Sequence, residues 1–422
     1  MGFSTNYSFG NNDWIGFSSK GGTDATIVKY DNNGEVVWKN NFGGSSDDSY
    51  YSVTAGSDGI VAVGRSLFES FGNGDWTSIT GKGGRDAIIV KYNHNGEVVW
   101  KKNFGGSDND SYESVIVVSD GIVAAGNSYS ASFENGDWEG VSGKGDYDAI
   151  IVKYNPDGEV VWNKNFGSAG YDYYNSITVV SDGIVVGGRS ESNSFGNNDW
   201  SGVEGKGGVD AIIVKYNPIG EVVWKKNFGG EGYDGFTSVT AVSDGIIAVG
   251  NSVINNAGGT GDWAGYQGNG GSDAIIVKYN QDGEVVGKNN FGGNDADLFT
   301  STITVSNGII VVGHSGANSF GTHDWAGISG KGCTDAVIVK YSTQEDFFSD
   351  GSGTENDPYI IYTAEELAQL ATFVNEGNTQ YNDKHYKLGK WIDLSNYQSG
   401  TGWIPIGESE AKSFNPHYSS RA

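Results

Sequence analysis

Short apolar runs, separated by tight polar breaks, recur along most of this chain. Ala87-Ile-Ile-Val90 is apolar at every position, and Val98-Val-Trp100 follows it after a polar turn. A strand with one face in water should alternate apolar and polar residues, so these runs predict short strands that are covered on both faces. Segments such as Ser119-Asp-Gly121 separate the runs at hairpin spacing. The pattern therefore predicts antiparallel strands in stacked sheets.

The same block of pattern returns at a nearly fixed interval. The aspartate that opens each Asp-Ala-x-x-Val run advances in steps of 62, 62, 62, 63 and 62 residues, through Asp24, Asp86, Asp148, Asp210, Asp273 and Asp335. A fixed period of this length is typical of propellers and solenoids. Each full repeat predicts four strands. In one copy they are Ser114–Val118, Gly121–Ala125, Asp148–Tyr154 and Glu159–Phe166.

Two repeat architectures suit such a period. Four-stranded antiparallel sheets that stack around a channel form a β-propeller. A parallel β-helix is the main alternative, but strands joined by hairpins do not suit it. We therefore predict an all-β fold, a β-propeller of about six four-stranded antiparallel blades over residues 1–348, followed by a small α+β tail over residues 349–422.

Five successive motifs resemble the bacterial SBBP-type β-propeller repeat over roughly residues 1–345. They are Asp-Ala-Ile-Ile-Val-Lys-Tyr, Gly-Glu-Val-Val-Trp, Asn-Phe-Gly-Gly, Asp-x-Tyr-x-Ser-Val and Asp-Gly-Ile-Val-x-x-Gly. The resemblance implies an extracellular or cell-surface setting and no catalysis, and it supplies no functional residues. By analogy, Ser-Val-x-Val-Val is the innermost strand and Glu-Val-Val-Trp the outermost. The first blade then lacks its innermost strand, and the sixth ends at Tyr341, with residues 345–348 as an outer strand.

The composition changes after Phe348. Thr363-Ala-Glu-Glu366 is a capping box that opens a helix, and Gly377 is a C-cap. Short strands are predicted at Tyr386–Leu388, 391–394 and 403–407. Gly-Thr-x-x-Asp-Pro-Tyr-Ile-Ile, the helix, Ile-Asp-Leu and Trp-x-Pro-Ile-Gly together resemble the opening of right-handed β-helices in bacterial surface proteins that carry GLUG-type repeats. In those proteins the helix covers the open end of the solenoid.

Charge and composition narrow the class of function. The net charge of −26 disfavours nucleic acid and anionic membranes as partners. Glycine is 68 of 422 residues and falls mostly at turns of the repeat. A single cysteine, Cys333, excludes an intrachain disulfide framework and a cysteine-based zinc site. No run is apolar long enough to span a bilayer, and we expect a monomer without membrane insertion.

The beginning of the chain falls inside a repeat. Gly2-Phe-Ser4 aligns with Gly64-Arg-Ser66, at the end of a strand. No charged segment followed by an apolar core is found at the N-terminus. We therefore expect the chain to be part of a longer protein, with any export signal upstream.

Asp-Trp pairs on glycine-rich loops are the predicted ligand-binding residues. A tryptophan can stack on a sugar ring while the neighbouring carboxylate accepts hydrogen bonds from hydroxyl groups. One site per blade would give avidity through multiplicity. The alternative is that tryptophan packs between blades and aspartate fixes the loop. The pairs are Asp13 and Trp14, Asp75 and Trp76, Asp137 and Trp138, Asp199 and Trp200, Asp262 and Trp263, and Asp324 and Trp325.

Other repeated residues have simpler interpretations. The strand tryptophans, Trp38 and its equivalents, predict packing, and the aspartate before Ala-Ile-Ile predicts a backbone cap. No cofactor is predicted. The acidic loops Asp47-Asp48, Asp108–Asp110 and Asp295–Asp297 could bind Ca²⁺, but none has a complete calcium-loop spacing, and a solvated turn is the alternative.

Three functions follow from these observations. We favour a non-catalytic, secreted or cell-surface bacterial propeller that binds a glycan or a surface protein in adhesion. The second is a structural spacer in a longer surface protein, and the third a polysaccharide hydrolase or lyase. No catalytic motif is present, and His314 and His323, which flank the last Asp-Trp loop, have no third ligand nearby in the sequence.

Overall fold

The structure is a computed structural model that describes residues 1–305, 308–341, 348, 350–351, 353–375, 381, 384–395 and 406. The chain separates into two compact units, Met1–Tyr341 and Ser342–Ala422. The first is a β-propeller repeat array of six antiparallel sheets, and the second is a small α+β unit. The fold class predicted from the repeat is therefore confirmed.

Four of the six sheets contain four strands in chain order. The second sheet holds β4 (Asp48–Gly56), β5 (Gly59–Leu67), β6 (Arg85–Tyr92) and β7 (Val98–Phe104). The third holds β8 (Asp110–Val118), β9 (Gly121–Tyr129), β10 (Tyr147–Tyr154) and β11 (Val160–Phe166). The fourth holds β12 (Asp172–Val180), β13 (Gly183–Glu191), β14 (Val209–Tyr216) and β15 (Val222–Phe228). The fifth holds β16 (Asp234–Val242), β17 (Gly245–Ser252), β18 (Asp273–Tyr279) and β19 (Val285–Phe291).

The two end sheets have three strands each within the described residues. The first holds β1 (Gly2–Thr5), β2 (Thr23–Tyr30) and β3 (Val36–Phe42), and the sixth holds β20 (Asp297–Val305), β21 (Gly308–Gly316) and β22 (Thr334–Tyr341). The predicted outer strand of the sixth sheet, residues 345–348, lies outside the described residues except for Phe348. The first strands of consecutive four-stranded sheets contact one another, which makes them the inner strands, as predicted.

The long loop of each repeat contains short 3₁₀ turns. One set carries the Asp-Trp pairs: Asn12–Trp14, Gly74–Trp76, Gly136–Trp138, Asn198–Trp200, Gly261–Trp263 and His323–Trp325. The other set precedes it: Asn6–Ser8, Phe68–Ser70, Ser130–Ser132, Ser192–Ser194 and Ala317–Ser319.

The third strand of each four-stranded sheet contains an unbroken apolar stretch because both of its faces are covered by other sheets. In the second sheet, Ile88 packs towards the first sheet with Ile27, and Ile89 packs towards the third with Ile150. All four side chains are buried. Successive strand residues point to opposite faces, so a run without polar alternation is what a sandwiched strand requires.

The inner strands are longer than predicted. β8 begins at Asp110 rather than Ser114, because the ladder to β9 continues past a register shift between Tyr112 and Ser114. At this shift the backbones approach closely: a Cβ on Gly126 would lie 2.0 Å from the carbonyl oxygen of Ser111. Only glycine fits there, which explains the glycine that recurs in the second strand of the second to sixth sheets.

The outward faces of the two end sheets lack this cover among the described residues. Ile338 of the sixth sheet is 70% exposed, whereas its equivalent Ile151 in the third is fully buried. Tyr30 of the first sheet is 57% exposed, whereas its equivalent Tyr92 is 1% exposed. Burial of these repeat positions therefore depends on a neighbouring sheet.

The second unit contains β23 (Tyr359–Ile361), α1 (Ala364–Asn375) and β24 (Tyr386–Leu388), with β23 and β24 parallel. The capping box is confirmed. Glu366 N donates to Thr363 Oγ1 at 3.1 Å, and Thr363 N donates to Glu366 Oε2 at 3.0 Å.

Other predictions for the tail differ in outcome. The strand predicted at residues 391–394 is wrong, because the structure places no strand there. Gly377 and, apart from Ile406, the strand at residues 403–407 lie outside the described residues. Phe348 packs with Tyr359 and Leu370 in the core of the second unit, so the chain divides after Tyr341 rather than after Phe348. Among the described helices, none is long and apolar enough to cross a membrane.

Candidate functional site

The tryptophans of the Asp-Trp pairs are anchored inside the array. Trp138 is fully buried, and its Nε1 donates to Asp110 Oδ1 at 3.2 Å. The other oxygen of Asp110 accepts from Ser132 Oγ and Gly106 N, both at 2.9 Å. Equivalent indole–carboxylate bonds join Trp76 to Asp48, Trp200 to Asp172, Trp263 to Asp234 and Trp325 to Asp297.

Trp14 is the exception in this set. It is only partly buried, and it contacts Phe9 and Phe17 at ring distances of 5.2 and 5.4 Å. It lies on the long loop of the first repeat, and the outward face of the first sheet has no neighbouring sheet among the described residues.

The aspartate of each of the later five pairs links consecutive sheets. Asp199 Oδ2 lies 2.6 Å from Lys144 Nζ of the preceding repeat and also accepts from Gly167 N at 2.9 Å. The same ion pair joins Lys20 to Asp75, Lys82 to Asp137 and Lys206 to Asp262. In the last repeat Asn269 Nδ2 donates to Asp324 instead, at 3.1 Å.

The structure thus places the six predicted pairs on six separate loops and gives the later five a packing and bridging role. A sugar cannot stack on Trp138, because this indole is fully buried and packs against Phe104 and Phe133. Sugar binding at these pairs stays a prediction, and the five buried indoles offer no open face for it.

The buried carboxylates that hold the indoles have unusual acidity. Burial raises the pKa of Asp110 to about 7 and the pKa of Asp172 and Asp234 to about 6, although their hydrogen bonds oppose this shift. Removing a charged carboxylate from water disfavours its ionised form. These groups therefore take up a proton closer to neutral pH than an exposed aspartate does.

The two other predicted structural roles are confirmed. Trp100 Nε1 donates to the carbonyl oxygen of Pro156 in the next sheet at 3.1 Å, and its ring lies against Gly158, where φ is +80°. Asp86 accepts hydrogen bonds from Lys82 N at 3.0 Å and from Gly83 N at 3.1 Å, as a backbone cap does.

The acidic loops and the histidines do not converge on one point. No group of three or more His, Cys, Asp or Glu residues suited to a metal ion occurs among the described residues. In the acidic loops, Asp48, Asp110 and Asp297 are directed to indole nitrogens. His323 Nε2 lies 3.1 Å from Asn294 Oδ1, and His314 is exposed on β21.

A polar cavity of about 310 Å³ lies where the second, third and fourth sheets meet. Three arginines line it, Arg65 on β5, Arg85 on β6 and Arg189 on β13. The whole sequence has four arginines, the other being Arg421. An acidic chain has therefore gathered nearly all of its guanidinium groups at one place.

These guanidinium groups are not neutralised by ion pairs. Every ion pair in the described part of the chain joins a lysine to an aspartate, so none of the carboxylates described there lies within 4.0 Å of the three arginines. Arg189 instead lies over the ring of Tyr173 at 4.7 Å, and Arg65 lies over the ring of Tyr51 at 5.3 Å. The charges remain available to a ligand.

The rest of the lining is polar and partly aromatic. Tyr147 stacks with Tyr173 at a ring distance of 5.5 Å. Ser111 Oγ donates to Glu113 Oε1 at 2.7 Å. Burial raises the pKa of Glu113, which the nearby Arg65 and Arg189 oppose, and burial raises the pKa of Tyr173 to about 12. Perturbed groups in a concave site are a general sign of function.

Our reasoning from the sequence missed this cavity, although a signal was present. Arg65 occupies a repeat position at which the residue varies. It is arginine again at Arg189, and in the other copies it is Phe3, Asn127, Asn251 and His314. A position that varies within an otherwise regular repeat is not required for the packing that all copies share. A specific binding site needs residues that differ between copies, whereas the Asp-Trp pairs are the same in every copy.

Comparisons with known proteins do not assign this chain to a family. No protein-family model matches this sequence. Two curated proteins are similar to parts of it: Regulatory protein FlaEY of Caulobacter vibrioides, 24% identical over 198 residues, and a putative Gly-rich membrane protein of Evansella cellulosilytica, 38% identical over 72 residues. The matches cover 44% and 17% of this chain but only 20% and 8% of those proteins.

The solved structures that are similar to this chain are also distant in sequence. A protein of unknown function from Bacteroides caccae is 11% identical, with a TM-score of 0.34, over 74% of this chain and 89% of that one. BamB from Moraxella catarrhalis is 12% identical, with a TM-score of 0.25, over 69% and 88% of the two chains. Neither likeness identifies a ligand.

Proposed function

We propose that the first unit is a non-catalytic binding module of a secreted or cell-surface bacterial protein, acting in adhesion. Its ligand is a glycan or a surface protein, and it binds at the cavity between the second, third and fourth sheets. The observation that carries this proposal is the convergence of Arg65, Arg85 and Arg189 on that cavity in a chain of net charge −26.

Electrostatics support this location. A cleft of one sign within a surface of the other focuses the local field and favours ligands that the remaining surface repels. Even with Glu113 and Asp110 both ionised, the three guanidinium groups leave an excess of positive charge in the lining. The site is built from three different repeats, which provides the asymmetry that specific recognition needs.

The surface setting is proposed from the chain's own properties and from its resemblance to SBBP-type repeats. A high negative charge keeps a protein soluble and dispersed in an aqueous medium. The array holds its sheets together by packing and ion pairs rather than by disulfides, so it needs no particular redox compartment.

Binding of the full chain to glycan arrays and to immobilised surface proteins tests the proposal. We expect binding that Arg65→Gln and Arg189→Gln abolish and that Lys164→Gln leaves intact. Lys164 is an exposed lysine on β11, so its loss removes the same charge outside the cavity. Binding that survives both arginine substitutions would reject the cavity, and a folded protein with no ligand in either assay would favour the structural spacer.

A further inference from the structure

We propose that the cavity recognises one carboxylate-bearing sugar residue of an acidic polysaccharide. This inference names the ligand class of the proposed binding function and rests on it. The arginines select the carboxylate, and the surrounding amide and hydroxyl groups select the sugar.

The three guanidinium groups provide the anion selectivity. Arginine presents several N–H donors in a planar fork, which matches the two oxygens of a carboxylate. Because Arg65, Arg85 and Arg189 have no carboxylate partner within 4.0 Å in the described chain, a ligand carboxylate displaces no existing ion pair.

The remaining lining suits hydroxyl groups better than a peptide. Asn109, Asn127 and Asn175 each contribute an amide, a group that can both donate and accept, as sugar hydroxyls require. Asn175 Nδ2 already donates to the carbonyl oxygen of Phe236 at 2.8 Å, which fixes the orientation of this amide. The lining of the main cavity contains no aliphatic side chain, so an apolar peptide side chain would find no matching pocket inside it. Tyr147 and Tyr173 add ring surface against which a pyranose can lie.

The volume of the cavity suits a single sugar residue, and the adjoining cavity has room for the next residue of the polysaccharide. A volume of about 310 Å³ is at the lower end of the range for small-molecule sites. A second cavity of about 170 Å³, lined in part by Tyr51 and Leu67, shares Arg65 and Arg85 with the first. A polysaccharide can therefore place one acidic residue in the main cavity and continue into the adjoining one.

Glu113 offers a way to test whether the positive charge of the cavity binds the ligand. It lies among the arginines as a fixed carboxylate, held by Ser111 Oγ at 2.7 Å. A ligand carboxylate must compete with it for the same positive charge. Neutralising Glu113 should therefore strengthen anion binding, whereas a merely structural role would not produce this change.

Titration calorimetry on the full chain tests the inference with three probes: glucuronate, glucose and inorganic sulfate. We expect glucuronate to bind at least about tenfold more tightly than glucose or sulfate, which is the order of magnitude of one charged hydrogen bond. Arg65→Gln and Arg189→Gln should each weaken glucuronate binding by about tenfold or more. Glu113→Gln should tighten it severalfold, and Lys164→Gln should leave it unchanged.

Several results would overturn the inference. Equal affinity for glucose and glucuronate would remove the role of the carboxylate, and sulfate binding as tight as glucuronate would leave a simple anion site. Absence of glucuronate binding to a protein that circular dichroism shows to be folded would reject the ligand class. If arginine-dependent binding to another glycan or to a surface protein persists, the ligand class fails while the proposed binding function stands.

Discussion

At the scale of single residues, one buried carboxylate decides how each long loop is held. Asp110 accepts from the indole of Trp138, which is 28 residues away, and from Ser132 and Gly106. The sequence shows that the tryptophan recurs, but not which residue meets its indole nitrogen. That partner is distant in the chain, so recurrence alone could not separate packing from ligand binding. The convergence of the arginines on one cavity was equally hard to predict, because Arg65 and Arg189 lie two repeats apart in the sequence.

Replacing the buried indole should destabilise the array. We expect Trp138→Ala to lower the free energy of unfolding by about 3–5 kcal/mol, because it removes a fully buried tryptophan and the indole hydrogen bond to Asp110 Oδ1. The matched variant Trp14→Ala, at the partly exposed copy, should cost less than half as much. Urea unfolding of both variants measures this difference, and equal losses would show that burial of the loop tryptophan is not what matters.

The buried aspartates predict how stability depends on pH. The pKa of Asp110 is about 7 and that of Asp172 and Asp234 about 6, above the ordinary value of 3.8 expected in the unfolded chain. The native state therefore binds more protons between about pH 4 and pH 7, and the free energy of unfolding falls as the pH rises through this range.

Thermal unfolding at pH 5 and pH 8 checks this sign. The wild-type protein should melt at a higher temperature at pH 5, and Asp110→Asn should show a smaller difference between the two pH values. The variant separates Asp110 from the general relief of negative charge at low pH. A higher melting temperature at pH 8, or an unchanged difference in the variant, would contradict the assigned role of burial.

At the scale of elements, the repeat period and the unbroken apolar runs were enough to predict the sheets. The unbroken apolar run in a strand such as Asp148–Tyr154 indicates that both of its faces are covered. The ends of the inner strands were not predictable in the same way. β8 includes Asp110 and Ser111, because its ladder to β9 continues past a backbone register shift. The only sign of this shift in the sequence is Gly126 on the opposite strand.

Because neighbouring sheets bury the repeat positions to different extents, the same substitution should change the free energy of unfolding by different amounts in different repeats. Ile151→Ala should lower the free energy of unfolding by about 2–5 kcal/mol, because the side chain is fully buried between two sheets. Ile338→Ala, at the equivalent position of the sixth sheet, should change it by less than about 0.5 kcal/mol, because that side chain is 70% exposed. Chemical denaturation of both variants gives the comparison, and a large loss for Ile338→Ala would mean that its face is covered in solution.

At the scale of the whole molecule, a regular scaffold carries one irregular site. The core, the loop anchors and the ion pairs between sheets repeat from copy to copy, so they explain stability and not recognition. The arginine cavity appears only where three particular repeats meet. The cavity depends on the spatial order of the sheets, which the repeat period predicts. The positions of the arginines in the sequence do not by themselves show that these side chains meet, because this requires the strands to be placed next to one another.

A crystal structure of the full chain soaked with glucuronate tests the central claim most directly, because it shows where the molecule receives its ligand. The account predicts the sugar in the cavity between the second, third and fourth sheets, with its carboxylate within hydrogen-bonding distance of at least two of Arg65, Arg85 and Arg189. A sugar bound at the Asp-Trp loops, with the cavity empty, would contradict it.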